Sequence, residues 1–100
     1  MPINIGGGIS IGGNVKVTLE LPSLVIPLND IGGVTGWNLN AAGIPYSPTV
    51  ISTFPVGSTI TFQDGSTATI TQWDDYGPTY IDIFWNTPKG GTIFPITLST

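Results

Sequence analysis

The sequence predicts an all-β protein, a small antiparallel β-sandwich or barrel preceded by a Gly/Ile-rich N-terminal arm. Apolar and polar residues alternate with a period of two in several short segments, and no window keeps the 3.6-residue period of a helix over three turns. Ile, Val and Thr, which favour strands, dominate the composition, whereas Ala is scarce. Gly and Pro account for 14 and 9 of the 100 residues and separate the apolar segments, as is typical of turns between short strands.

The first 13 residues differ from the rest, because the unit Ile-x-Ile-Gly-Gly occurs twice, at residues 3–7 and 9–13. We predict an extended arm over residues 1–13 and a β domain over residues 14–100. Glycines give the arm no side chains to pack against one another. Its isoleucines should therefore be buried by association with another chain, and the candidate association residues are Ile3, Ile5, Ile9 and Ile11. Gly6 to Gly8 interrupt any apolar run, so we expect no signal peptide.

The first half of the domain shows weaker strand signals. Residues 15–21 alternate cleanly, which predicts a strand with one apolar face. Residues 24–28 form a short apolar run that we predict to be an edge strand, because Pro27 has no N–H to donate. Residues 29–48 are rich in turn residues, with one short strand expected near 34–39. Residues 49–54 predict another strand, closed by Pro55.

Residues 58–71 predict a β-hairpin around Asp64-Gly65. A two-residue loop would mix apolar and polar side chains on both faces of the ribbon. A three-residue loop of Gln63, Asp64 and Gly65 pairs Ile60 with Ala68. One face then carries Ile60, Phe62, Ala68 and Ile70, and the other carries threonines. The sequence therefore predicts a type I turn with a G1 bulge, in which Gly65 is left-handed.

The last third predicts two further strands, over residues 79–85 and 92–98, with residues 73–78 as a connection. Ile81, Ile83 and Trp85 should share one face of the first of these strands, and Trp85 should lie in the core. The strands at 58–63, 66–72, 79–85 and 92–98 would then form a meander.

Charged residues make up only 8% of the chain, against about 25% in an ordinary globular domain. One interpretation is a surface solvated by Thr and Asn side chains. The favoured interpretation is a surface largely covered by other copies of the chain or by partner proteins, because free monomers usually keep interspersed charges. Every apolar run ends well short of the roughly 20 residues of a membrane span, so we expect no membrane partner.

The composition excludes several classes of chemistry. Without Cys or His, the chain has no disulfide, no thiolate or imidazole metal ligand, and no His-based acid–base catalyst. Lys16 and Lys89 are the only cations, too few to bind a nucleic-acid backbone. A strand rather than a helix follows the glycines, which argues against a phosphate loop. We therefore expect no enzyme, no cofactor and no metal site.

Aromatic residues beside carboxylates and amides suit sugar rings, which present C–H faces and hydroxyl groups. The candidate ligand-binding residues are Trp37, Tyr46, Trp73, Tyr76 and Tyr80. The favoured alternative is that these side chains plug the ends of the sandwich. Asp74, Asp75 and Asp82 could begin a calcium site, which needs several oxygen ligands. Adjacent residues of an extended chain point to opposite faces, however, so a solvated turn is the favoured interpretation of Asp74-Asp75.

Two segments resemble a known class of protein. Residues 2–13, Pro-Ile-Asn-Ile-Gly-Gly-Gly-Ile-Ser-Ile-Gly-Gly, resemble the Ile/Gly-rich starts of small virion structural proteins of tailed bacteriophages, including cyanophage-like ones. Residues 56–66 are similar to hairpins common in such proteins. The resemblance covers about a third of the chain and implies a multi-copy β-protein of a capsid, tail or fibre. It carries over no catalytic residue to this chain. It implies a location in the virion, with other copies of the chain and other virion proteins as partners.

Overall fold

The computed structural model describes residues 21–100. Within this range, six strands and one short helix follow one another. They are β1 (Ser23–Ile26), β2 (Ala41–Pro45), α1 (Val50–Thr53), β3 (Thr59–Thr61), β4 (Thr67–Tyr76), β5 (Tyr80–Trp85) and β6 (Ile96–Ser99). No helix of these residues is long and apolar enough to cross a membrane.

All pairs among these six strands are antiparallel, and the strand order is β1-β6-β3-β4-β5-β2. The long strand β4 belongs to both halves of this sheet. Residues 67–69 pair with β3, whereas residues 70–76 pair with β5. The register shifts between Ile70 and Gln72, and such a bulge bends a strand and increases its twist. The predicted small, sandwich-like, all-β fold is thereby confirmed.

One hydrophobic core joins the two halves of the sheet. Ile60 and Leu98 come from one half, and Ile81 and Ile83 come from the other, and all four are fully buried. The core also includes Trp85, as predicted, whose ring meets Phe62 edge to face with centroids 5.3 Å apart. Alternation along β5 directs Tyr80, Asp82 and Phe84 to the opposite side.

The hairpin of β3 and β4 has the predicted three-residue loop. Ile60 lies opposite Ala68, and Thr61 lies opposite Thr67. The N–H of Gly65 donates to the Phe62 carbonyl at 3.0 Å, and Gly65 has a φ of 89°. The Asp64 carboxylate accepts from the N–H and the hydroxyl of Ser66, at 3.0 and 2.6 Å. It also pairs with Lys89.

Gly65→Val should lower the free energy of unfolding by about 1–2 kcal/mol or more, because a β-branched residue is strained at positive φ. No heavy atom lies within 4 Å of a Cβ built at this glycine, so the cost would come from backbone strain alone. Urea denaturation measures it. Gly65→Asn is the control and should cost less, because Asn tolerates this conformation. A Val variant as stable as the parent would contradict the loop geometry.

Two predictions for residues 34–54 are wrong. No strand lies at 34–39, and the strand β2 lies instead at Ala41–Pro45. Residues 50–53 are helical rather than extended. The hydroxyls of Ser52 and Thr53 donate to the Thr49 carbonyl at 3.0 and 2.8 Å, which supports a local turn. Val50 and Phe54 are both buried, and a spacing of four places both on one side of a helical turn.

Two predictions for the last third are also wrong. Residues 73–76 continue β4 rather than connecting two strands. The meander holds for β3, β4 and β5, but β6 pairs with β3 and β1 instead of β5. β1 is an edge strand among the described residues, in agreement with the prediction for residues 24–28. The arm with Ile3, Ile5, Ile9 and Ile11, and most of the strand predicted at residues 15–21, lie outside the described residues.

Candidate functional site

The outer face of β4, β5 and β2, turned away from the core, collects the polar and aromatic side chains of these strands. Asp74 lies opposite Asp82, and Tyr76 lies opposite Tyr80. On the other side of β5, Gly43 lies opposite Asp82. Successive rows across the strands therefore carry a pair of carboxylates and a pair of tyrosines.

A groove of about 460 Å³ opens on this face, and we call it the acidic groove. It is lined by Asp30, Ile31, Trp37, Tyr80 and Asp82. Two of these side chains come from β5, and three come from the segment between β1 and β2. The groove therefore depends on where that segment crosses the sheet.

Asn29 fixes the position of this segment. Its side-chain oxygen accepts from the N–H groups of Ile31 and Gly33, at 3.1 and 2.7 Å, and its amide donates to the Thr35 carbonyl at 2.8 Å. Asn29 is buried, so these bonds replace water at a site where an unpaired amide would be costly. The Asn29 side chain thus holds the loop in place through hydrogen bonds to the loop backbone.

Asp30 reaches the sheet at Gly43. The Asp30 N–H donates to the Gly43 carbonyl at 3.1 Å. The Asp30 carboxylate lies over Gly43, where an added Cβ would lie 2.4 Å from a carboxylate oxygen. Only a glycine leaves room for this approach, and it places Asp30 beside Asp82.

Trp37 stands at the rim of the acidic groove with 58% of its surface exposed. Its ring meets Phe84 edge to face, with centroids 5.8 Å apart and an angle of 88°. It also lines a second groove of about 510 Å³ that includes Leu39 and Lys89. Trp37 therefore separates two open surfaces and offers a ring face to a ligand.

Two tyrosines, Tyr80 and Tyr76, continue the aromatic surface from Trp37. The rings of Tyr76 and Tyr80 stack with centroids 5.0 Å apart and an angle of 26°. Tyr46 lies against the backbone of Gly77, where its ring atoms would clash with any Cβ. Partial desolvation raises the pKa of Tyr80, and the nearby Asp82 carboxylate adds to the rise.

Asp82 is the buried carboxylate of the site, with 8% of its surface exposed. Burial raises its pKa, and the negative charges of Asp74 and Asp30 raise it further, although the Trp37 indole acts in the opposite direction. Desolvation and like charges both disfavour the ionised form. The acidic groove therefore holds a carboxylate whose charge is unfavourable to the fold.

Asp82→Asn should raise the free energy of unfolding at pH 7. A carboxyl group with a raised pKa in the folded state stabilises the fold when protonated. This contribution is lost as the pH rises above the ordinary Asp value of 3.8 toward the folded value. The difference between Asn and Asp should therefore grow with pH, as urea denaturation from pH 3 to pH 7 will show.

Asp64→Asn is the matched control with the opposite sign. Its bonds to Lys89 and Ser66 lower the pKa of Asp64, so this carboxylate adds stability above pH 3.8 that is lost on acidification. Its replacement should reduce stability at pH 7. If Asp82→Asn also destabilises at pH 7, the description of Asp82 is wrong.

The structure brings three of the five predicted aromatic residues together, because Trp37 and Tyr80 line the acidic groove and Tyr76 stacks on Tyr80. Tyr46 lies against Gly77 and lines a different groove, with Ile44 and Val50. Trp73 also lies apart from the three. It points to the core side of β4 opposite Ile83, and its indole N–H donates to the Phe54 carbonyl at 2.8 Å. It is half-buried and packs against the core, as expected for a side chain that closes the sandwich.

Asp74, Asp75 and Asp82 do not form one cluster. Asp74 lies opposite Asp82, whereas Asp75 lies opposite Ile81 and accepts the Gly77 N–H at 2.8 Å. Residues 21–100 contain no group of three or more acidic side chains arranged to hold a metal ion.

Three contributors to the site were missed in the sequence, namely Asp30, Ile31 and Phe84. Gly43 was an available signal, because an isolated glycine within a strand often marks the close approach of another segment. Nothing local indicated that the approaching segment would be residues 29–33.

The described face offers ring surfaces, carboxylate acceptors and a groove of the size that takes a small polar ligand. It contains no nucleophile paired with a base. Comparison of the chain with family models, with curated proteins and with solved structures finds no match in any of the three.

Proposed function

We propose that this protein is a non-enzymatic structural subunit of a phage virion, present in many copies and acting through subunit association. Its place would be in a capsid decoration, a baseplate or a fibre. One observation supports association best: residues 21–46 expose many large hydrophobic side chains and carry a single charge.

Eleven large hydrophobic side chains of the described residues are exposed, and nine of them lie between Leu21 and Tyr46. Ile31 is 86% exposed and Val25 is 60% exposed. Asp30 is the only charged residue in this segment. Single exposed apolar residues are ordinary, but such a concentration without charges is typical of a surface that a partner covers.

The strand β1 adds a second means of association. It pairs with β6 on one side, and no described strand pairs with its other side. Exposed edges readily accept a strand from another chain unless charges, bulges or covering segments block them. Residues 23–26 include no charged side chain.

The assignment to a virion depends on the resemblance of residues 2–13 and 56–66 to phage structural proteins. The low charge of the whole chain supports it, since many-copy particles bury much of each subunit's surface. Such a role needs neither a cofactor nor catalytic residues.

Two measurements test this proposal. Sedimentation equilibrium of the full chain should give a mass above 10.5 kDa that rises with concentration. Mass spectrometry of purified phage particles should detect the chain among the virion proteins. A strictly monomeric protein would contradict association, and absence from particles would contradict the virion location.

The acidic groove favours a second candidate function, carbohydrate binding in host adhesion. Trp37 offers an exposed ring, and Asp30 and Asp82 offer acceptors for hydroxyl groups on the same groove. This arrangement matches the two chemical features of a sugar, its C–H face and its hydroxyls. Adhesion and a place in the virion are compatible.

A panel of bacterial surface polysaccharides, followed by calorimetric titration of any that binds, tests this candidate. Trp37→Ala should weaken binding by about 30-fold or more, since truncation of a Trp on which a ligand stacks can cost about 2 kcal/mol. Trp73→Phe is the control and should leave binding unchanged, because Trp73 faces the core side. Equal loss in both variants, or resistance of all tryptophan fluorescence to a quencher, would contradict this role.

A further inference from the structure

We propose that the N-terminal arm of a second copy adds a strand to the free edge of β1 and fills the apolar groove between β1 and β2. This inference rests on the proposed function, because it names the surface through which copies associate. The occupant is one Ile-x-Ile unit, either Ile3 with Ile5 or Ile9 with Ile11.

The groove between the two end strands of the sheet has a volume of about 280 Å³. Leu24 and Ile26 line it from β1, and Ile44, Tyr46 and Val50 line it from the other side. No charged side chain contributes to its lining. It therefore suits an aliphatic side chain better than a polar ligand.

The edge of β2 is already covered. Gly43 accepts the N–H of Asp30, Ala41 bonds with Asn38 in both directions, and Pro45 has no N–H. A new strand would find few backbone partners there.

The edge of β1 is open among the described residues. In an antiparallel pair, alternate residues direct their N–H and C=O groups away from the partner strand. Two of the four residues of β1 therefore direct their N–H and C=O groups away from β6, to a side where none of residues 21–100 bonds with them. An added strand can pair with these groups, as in other complexes formed by strand addition.

The side-chain pattern of the arm matches this edge. Leu24 and Ile26 share one face of β1, opposite the fully buried Leu98 and Ile96 of β6. Leu24 remains 39% exposed because nothing described covers its outer side. A strand beside β1 would direct every second side chain to this same face. An Ile-x-Ile unit supplies two isoleucines at that spacing.

The geometry of the chain argues against the residues directly before β1 as the occupant of its edge, and the exposed hydrophobic side chains of residues 21–46 favour an arm from a second copy. A tight reversal at Leu21-Pro22, directly before β1, would be needed to return the preceding residues alongside it. Two-residue hairpin turns require positive φ at one or both positions and favour Gly, Asn or Asp. Proline fixes φ near −65°, so Leu21-Pro22 does not suit such a turn.

Cross-linking between chains tests the inference, and the absence of native Cys makes introduced thiols unambiguous. One full-length preparation carries Leu24→Cys, and the other carries Ile5→Cys or Ile11→Cys. The preparations are mixed, treated with a short bismaleimide and resolved by mass. We expect a heterodimer. Val56→Cys in place of Leu24→Cys is the control, because Val56 is exposed but does not line the groove, and it should yield little product.

Three outcomes would overturn the inference. If the mixed preparations give no heterodimer but a third preparation, with Leu24→Cys and Ile5→Cys or Ile11→Cys in one chain, cross-links only within that chain, each arm binds its own domain. Oligomers by sedimentation without Leu24 cross-links would show association through another surface and would leave the proposed function standing. A parent chain that is monomeric in solution would contradict both this inference and the proposed function.

Substitution of the docking side chains gives a quantitative second readout. Ile3, Ile5, Ile9 and Ile11 are replaced in pairs by Ser in the full chain. The pair that occupies the groove should weaken self-association by about 100-fold or more, since burial of each aliphatic side chain is equivalent to about tenfold or more in affinity. Unchanged dissociation constants for both pairs would overturn the inference.

Discussion

Deletion of residues 1–13 is expected to abolish subunit association while the remaining chain stays folded. Every member of the described hydrophobic core lies between Ile26 and Leu98, and we expect this core to form without the arm. Burial of four isoleucines contributes roughly 6–10 kcal/mol, whereas ordering 13 residues costs on the order of 13–26 kcal/mol of backbone entropy. Side-chain burial alone therefore does not order the arm, and strand pairing with another chain must contribute.

Circular dichroism and sedimentation equilibrium together measure the effect of this deletion. A matched control keeps the length of the arm and replaces Ile3, Ile5, Ile9 and Ile11 by Ser, and it should lose association in the same way. If the truncated chain unfolds as a monomer, the arm belongs to the core of its own domain. If it assembles as the parent does, the arm takes no part in association.

Trp85→Ala is expected to lower the free energy of unfolding by about 3–5 kcal/mol, the range for removal of a large buried aromatic side chain. Trp85 is 2% exposed, contacts Phe62, and donates from its indole to the Leu39 carbonyl at 3.1 Å. A loss of this size is a large part of the stability of a domain of 100 residues. The variant should unfold at a distinctly lower urea concentration than the parent.

Two control variants separate the causes of this loss. Trp85→Phe keeps a ring in the core, and the Leu39 carbonyl keeps its bond from the Lys89 N–H at 2.7 Å. It should lose only about 1 kcal/mol for the missing hydrogen bond, with a further part for the smaller ring. Trp37→Ala removes an exposed ring and should cost much less than Trp85→Ala in the same urea titrations. Equal losses at Trp37 and Trp85 would contradict the described core.

The hairpin of β3 and β4 could be predicted from local residues. Asp64-Gly65 marks the turn, and only the three-residue loop places Ile60, Phe62, Ala68 and Ile70 on one face. The structure has the same register. Burial on one face of a ribbon is decided by neighbours close in sequence, because a shift of one residue would expose the whole apolar set. The shared face of Ile81, Ile83 and Trp85 could be predicted for the same reason.

The helix at Val50–Thr53 and the strand at Ala41–Pro45 could not be assigned by propensity. Val50, Ile51 and Thr53 favour strands, yet the helical turn buries Val50 together with Phe54. Ala41 and Ala42 have little strand preference, yet both are fully buried in β2 beside β5. In both places tertiary packing outweighed a weak local preference.

The amino-acid sequence by itself determined the all-β class, the hairpin register, the inward faces of the strands and the absence of thiol and imidazole chemistry. Only the tertiary structure decided that β6 pairs with β3 and β1, that Asp30 and Trp37 meet Asp82 in the acidic groove, and that Trp73 faces the core side. The physical reason is distance along the chain. Alternation of apolar and polar residues indicates which side of a strand is buried. Residues some 45 positions apart, such as Trp37 and Asp82, meet only after β2 has paired with β5 and a loop has packed over Gly43.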